Sequence, residues 1–202
     1  LQLAAQFLVG IVDLDRLDVL EHGLDGLGPD TFIVGDHDLT VVGENVTAYG
    51  LVEVENLDIH AKGDFNYKGS TMTAKQDMVI SADGKVTIDN SVIDGNEITA
   101  GGSMAISGET VTIYGGLFTG DGFNVNATDT ANIYAAALDN GVITAGTVNL
   151  AQKDASRAGE LPEGATVSEG IAVGQIADVR TNAGIVNVAN GTDVNIQDVN
   201  RE

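Results

Sequence analysis

The sequence predicts an all-β protein, specifically a parallel β-solenoid (β-helix). The main observation is a series of short apolar-x-apolar triplets, separated by Gly, Asn and Asp. They read Leu57-Asp-Ile59, Met78-Val-Ile80, Val86-Thr-Ile88, Met104-Ala-Ile106, Val111-Thr-Ile113, Phe123-Asn-Val125, Ala131-Asn-Ile133 and Val148-Asn-Leu150. Alternation with period two marks a strand with one buried face. Strands this short bury enough apolar surface only by stacking on one another, as in a solenoid.

A second observation is self-similarity along the chain. The segment from Ile98 to Ile106 matches the segment from Ile143 to Leu150, and the stretch from Phe118 to Val125 is a looser version of both. Successive copies are about 20 to 25 residues apart, which is typical of one coil of a solenoid. These segments are therefore predicted to be equivalent parts of successive coils.

Composition is the third observation. Apolar residues make up 43% of the chain but aromatic residues only 4%, and Trp is absent. A core of Val, Ile, Leu and Ala suits a narrow, stacked interior. The chain has 26 Gly and 2 Pro, so its turns are formed mainly by residues that tolerate positive φ or tight space.

The chain divides into three regions: an apolar segment (1–30), the repeats (31–152) and a polar linker followed by strands (153–202). In the first region, a helix-like spacing predicts a short amino-terminal helix that caps the solenoid or docks on another subunit. Its proposed subunit contacts are Leu3, Phe7, Ile11, Leu14 and Leu17. A β-strand through Phe7–Val12 is the competing interpretation. The strands of the last region would add coils or form a closing sheet.

Charge restricts the partners. With 30 acidic residues against 9 Lys and Arg, the formal net charge is −21. Such a surface repels phosphate backbones and anionic membranes, which argues against nucleic acid as a partner and favours cations. The apolar stretch 1–12 is too short and too polar to span a membrane. No Cys is present, so disulfides and thiolate chemistry are excluded.

Three stretches within the repeats resemble those of filamentous haemagglutinin-type adhesins and the β-helical passenger regions of autotransporters. They are Leu57-Asp-Ile-His-Ala-Lys-Gly63, Met78-Val-Ile-Ser-Ala-Asp-Gly-Lys-Val-Thr-Ile88 and Ile98-Thr-Ala-Gly-Gly-Ser-Met-Ala-Ile106. The resemblance covers about half of the chain. It implies a right-handed β-helix that is exported to the bacterial surface and serves adhesion or matrix formation.

Four residues of one Gly-rich turn, Asp121, Asn124, Asn126 and Asp129, supply oxygen ligands of the kind that calcium accepts. The alternative is turn chemistry, since Asx side chains bond to nearby backbone. For Asp36-His37-Asp38, strand alternation would separate the imidazole from the carboxylates, so a turn is expected there. Asn-rich stretches are also expected to form amide ladders between coils.

These observations favour a structural protein outside the cell (bacterial or archaeal) over an enzyme. Unpaired strand edges at the ends of a solenoid recruit further copies unless capped, so end-to-end self-assembly into a filament or an adhesin shaft is expected. One alternative is a carbohydrate- or receptor-binding module, including a phage fibre segment. The other is a polysaccharide-active enzyme, for which Lys62, Lys68, Lys75 and Lys85 could bind substrate. A solvated face of mixed charge explains these lysines equally well.

Overall fold

The computed structural model describes residues 17–20, 32–90, 97–134, 136–151, 173–188 and 194–201. Within these ranges the chain is all-β and contains no helix. The strands are β1 Leu17–Leu20, β2 Phe32–Val34, β3 Leu39–Gly43, β4 Val46–Val54, β5 Leu57–Ala61, β6 Phe65–Ala74, β7 Met78–Ala82, β8 Lys85–Asp89, β9 Glu97–Tyr114, β10 Leu117–Tyr134, β11 Ala137–Ala151, β12 Val173–Val188 and β13 Val194–Arg201.

The strands form one thirteen-stranded sheet, in which the order β1-β3-β5-β7-β9-β10-β11-β12-β13 gives the main path and β2, β4, β6 and β8 lie off it. Every described pair is parallel. Strand β6 pairs with both β8 and β9, and β8 pairs with β9. The pairings therefore close on themselves around the core, as in a parallel barrel.

All eight apolar triplets lie in strands and bury both apolar residues, while the middle residue is at least partly exposed. Equivalent positions stack in columns: Leu39 pairs with Leu57, Leu57 with Met78, and Met78 with Met104. The interior is thus built from columns of like residues. The prediction of strands with one buried face is confirmed.

The predicted repeat alignment is partly wrong. Phe118 does pair with Ile98 and Val125 with Ile106, as the looser match implied. Ile143, however, pairs with Val125, and the residue that follows Phe118 in the column of Ile98 is Leu138. The resemblance between Ile98-Thr-Ala-Gly101 and Ile143-Thr-Ala-Gly146 therefore links two strand segments that belong to different columns.

The prediction of an amino-terminal helix is wrong for the described residues of that region. Leu17–Leu20 is strand β1, which pairs in parallel with β3. An unpaired edge of β3 offers backbone donors and acceptors, and a strand satisfies them whereas a helix does not. Of the predicted subunit contacts, Leu17 lies in β1, and Leu3, Phe7, Ile11 and Leu14 lie outside the described residues. At the other end of the sheet, β12 and β13 extend it in parallel beyond β11.

Candidate functional site: an open sheet edge and a polar groove

One interior column runs from β4 to β12, and no described strand covers its last member. Its members are Ala48, Tyr67, Ile88, Ile113, Ile133, Leu150 and Val188. The first six are at most 7% exposed, but Val188 is 49% exposed. In the described chain, residues 185–188 pair with β11 on one side and have no strand on the other. The column therefore ends in an uncovered apolar side chain beside an unpaired backbone edge, which we call the open edge (residues 185–188).

The two ends of this column differ. At the amino-terminal end Val46 is 0% and Ala48 7% exposed, so the interior is covered there. At the open edge, Ile185 on the outer side of the sheet is also 45% exposed. An exposed strand edge with apolar side chains is a template for another chain. Among the described residues, 185–188 form an edge of this kind.

A ladder of amides on the outer side leads to the same edge. The side-chain Nδ2 of Asn132 donates to Thr112 Oγ1 at 3.1 Å, and Asn149 Nδ2 donates to Asn132 Oδ1 at 2.8 Å. Asn187 Nδ2 then donates to Asn149 Oδ1 at 2.7 Å. The ladder expected from the Asn-rich sequence is therefore present, and its last member, Asn187, lies exposed in the open edge.

The corners between strands are held by a second set of side chains. Asn45 Oδ1 accepts from the backbone N–H of Asp64 at 2.9 Å, and Asn56 Oδ1 accepts from that of Asp77 at 3.1 Å. Asp77 Oδ1 in turn accepts from both the backbone N–H and the hydroxyl of Ser103, at 2.8 and 2.9 Å. These bonds connect neighbouring turns and fix the register of the strands that follow.

The hydrogen bond from the backbone N–H of Ser103, followed by the one from its hydroxyl, lowers the pKa of Asp77 below its ordinary value of 3.8. A carboxyl whose folded pKa is depressed contributes stability above its unfolded pKa and loses that contribution as pH falls through the folded value. An asparagine at position 77 would keep an acceptor oxygen, as Asn45 and Asn56 do in neighbouring corners, but it would not titrate.

We therefore expect Asp77→Asn to fold with a lower thermal midpoint than the natural protein at about pH 6, and the difference to shrink at about pH 3. Circular dichroism melting at both pH values measures this. Asp58→Asn, at an exposed position on β5, is the matched control, and its difference should change less. An Asp77→Asn difference that stays constant between the two pH values would contradict the assignment.

The predicted calcium ligands all lie on β10, where Asp121, Asn126 and Asp129 are exposed and Asn124 is partly exposed. Asn124 Nδ2 donates to the carbonyl of Gly122, a residue with φ of 61°. This is the turn chemistry weighed as the alternative. Among the described residues no group of three or more His, Asp or Glu side chains is placed to hold a metal ion. Calcium at these four residues stays a prediction.

The Asp36-His37-Asp38 cluster lies in the bend before β3, as expected. Its carboxylates serve different partners: Asp36 accepts from Lys75, and Asp38 accepts from Asn56 at 2.7 Å. The bond to Lys75 lowers the pKa of Asp36. The cluster therefore supports turns rather than a shared site.

The lysines do not form a common binding face. Lys62 pairs with Glu44 at 3.1 Å and Lys75 with Asp36, two acidic residues at different turns. Both pairs are exposed, and exposed ion pairs contribute little to stability. Lys68 and Lys85 lie exposed on β6 and β8. This arrangement matches the interpretation as a solvated face of mixed charge.

A groove of about 1090 Å³ crosses strands β7, β9, β10, β11 and β12 at one corner of the molecule. Its floor consists of small residues from successive strands: Ala82, Gly108, Ala127 and Ala145. Polar side chains stand along it, and they are Asp83, Ser107, Glu109, Asn126, Thr128, Thr144, Arg180, Thr181 and Asn182. Sequence analysis singled out only Asn126 among them, and for a different role. We call this feature the corner groove.

Comparison of the chain with protein-family models, curated proteins and solved structures gave no match in any of the three. Function must therefore be argued from the open edge and the corner groove. In the described part of the chain, no helix has the length and hydropathy needed to cross a membrane.

Proposed function

We propose that the chain is a parallel β-solenoid that serves as a structural protein outside the cell, and that its copies join end to end into a filament or an adhesin shaft. The solenoid accounts for three observations together: the parallel pairing, the columns of stacked interior residues and the closure of the pairings around the core. Backbone bonds between turns support it as well. Gly84 donates to the carbonyl of Gly63 at 2.9 Å, and Glu109 donates to that of Gly84 at 2.7 Å.

The observation that carries the assembly proposal is the open edge. Val188 continues a column whose other members are buried, and no described strand covers it. A strand from another copy would complete the backbone pairing and cover Val188. Because the two ends of the column differ, the contact is heterologous and repeats without closing, which gives filaments.

We assign the amino-terminal apolar segment of the next copy as the occupant of the open edge. Residues 1–12 carry no charged side chain, in a protein with a formal net charge of −21. The open edge, Ile-Val-Asn-Val, is uncharged too. Elsewhere, repulsion between acidic surfaces opposes contact between copies. The two uncharged apolar stretches are therefore the best matched surfaces for association.

The test is to place a charge in the open edge. We expect the natural protein to form long, uniform filaments in electron micrographs and to sediment as a polymer. Val188→Asp should sediment as a monomer, because the carboxylate would be buried without a partner on assembly. Removal of residues 1–16, which leaves β1 intact, should have the same effect.

Val79→Asp is the matched control. Val79 is 39% exposed on the outer side of β7, where Asp58 and Ala105 on the adjacent strands are its pairing partners. It should assemble like the natural protein. A natural protein that stays monomeric over the whole accessible concentration range would refute the assembly proposal, and so would Val188→Asp filaments as abundant as those of the natural protein.

A further inference from the structure

The corner groove has the chemistry of a ligand site that is independent of assembly. We propose that it binds a linear, neutral polysaccharide chain. The column of outward-facing residues beside the groove runs His60, Ser81, Ser107, Asn126 and Thr144. His60 and Ser81 at its start bond to each other, with Nδ1 and Oγ 3.0 Å apart.

The next three residues of this column differ from His60 and Ser81 in their hydrogen bonding. The side chains of Ser107, Asn126 and Thr144 make no hydrogen bond to another residue within the described ranges, and they stand together along the groove. This contrasts with the asparagines of the corners and of the amide ladder, which bond to their neighbours. Two hydroxyls and an amide, each both donor and acceptor, are what the hydroxyl groups of a sugar require.

The shape of the groove suits an extended chain. Its floor crosses five strands, from Ala82 on β7 to Thr181 on β12. Five strands at about 4.8 Å spacing give a length of roughly 19 Å. The floor side chains are small, so a ligand can lie close to the backbone. A polymer of hydroxyl-bearing units that runs along the stack would meet Ser107, Asn126 and Thr144 in succession.

Charge and backbone pairing narrow the class of ligand. Asp83 and Glu109 line one part of the groove, while the positive charge of Arg180 is paired with Asp178 at 2.7 Å. An anionic polymer would meet net negative charge, whereas the two carboxylates accept bonds from neutral hydroxyls. A peptide that adds as a strand needs a free sheet edge. The strands beneath the groove already pair with neighbours on both sides from Gly108 to Ala145.

The experiment is isothermal titration calorimetry of the protein with three linear hexasaccharides: a neutral β-1,4-glucan, a neutral N-acetylglucosamine chain and an anionic galacturonate. We expect at least one neutral chain to bind with Kd below about 1 mM, and the galacturonate to bind at least tenfold more weakly. The double variant Asn126→Ala/Thr144→Ala should lose at least tenfold in affinity for the neutral chain.

Asn66→Ala/Thr87→Ala removes the same two residue types from outward positions of β6 and β8, away from the groove, and should bind like the natural protein. Thermal midpoints show whether both variants are folded. The proposal is overturned if neither neutral chain binds at about 5 mM, if the two double variants lose affinity equally, or if the galacturonate binds most tightly. Filament formation by Asn126→Ala/Thr144→Ala is expected to be unchanged, which separates this site from the open edge.

Discussion

Replacing Gly101 by alanine should lower the free energy of unfolding by about 3 kcal/mol, although the position is exposed. A Cβ atom built on Gly101 would overlap the carbonyl oxygen of Lys75 and would lie 3.0 Å from its carbonyl carbon. Neither backbone can move aside easily. The N–H of Lys75 donates to the carbonyl of Val54 at 2.9 Å, and the N–H of Gly102 donates to that of Gln76 at 2.8 Å. Relief of the clash would therefore break the bonds that stack this corner.

Gly35→Ala is the matched control for this prediction. Around Gly35 the nearest atom to a built Cβ is the backbone nitrogen of His37 at 4.0 Å, and its φ is not in the left-handed region. The same substitution should there change stability by less than about 0.5 kcal/mol, or raise it slightly by restricting the unfolded chain. Urea denaturation of both variants gives the comparison. Equal destabilisation of the two would show that the close stacking at Gly101 is not present in solution.

The local part of this fold can be read from the sequence. Triplets such as Val86-Thr-Ile88 and Val111-Thr-Ile113 alternate strictly, and a short strand has only two faces, so the buried residues follow directly. Small residues at the corners follow as well, since successive turns approach closely there. These features depend on residues within one strand or one turn.

Register between strands could not be read in the same way. Ile98-Thr-Ala-Gly101 and Ile143-Thr-Ala-Gly146 are alike because each is a strand segment in which a buried Ala is followed by Gly. They lie in different columns because the chain uses the same local pattern, a buried Ala followed by Gly, more than once. Similar sequence therefore marks a similar local environment rather than equivalent places in successive repeats.

The helix prediction was wrong at Leu17–Leu20 for a related reason. A 3.6-residue spacing of apolar residues through Leu17 favoured a helix, but the edge of β3 provides pairing partners for Leu17–Leu20. Tertiary pairing outweighs a weak periodicity in a short segment. The corner groove was missed because Ser107, Asn126 and Thr144 become neighbours only through the register. The available signal is that each directly follows a buried Ile or Val, namely Ile106, Val125 and Ile143.

Phe118 is one of the large side chains of the interior. Phe118 is fully buried, and its ring stacks on that of Phe123 with centroids 5.9 Å apart and planes 5° from parallel. The column places Ile98 and Leu138 on the adjacent strands. Phe118→Ala should cost about 3 to 5 kcal/mol of the free energy of unfolding, because the closed sheet cannot collapse into the cavity.

Phe118→Leu is the informative partner of this variant. Isoleucine and leucine already occupy the same column at positions 98 and 138, so an aliphatic side chain fits the site and should cost less than about 1.5 kcal/mol. Urea denaturation of both variants separates loss of volume from loss of ring stacking. If Phe118→Leu were as damaging as Phe118→Ala, the contact with Phe123 rather than the filled volume would hold this part of the core. The stacking of Phe118 on Phe123 would then be the main source of stability around this column.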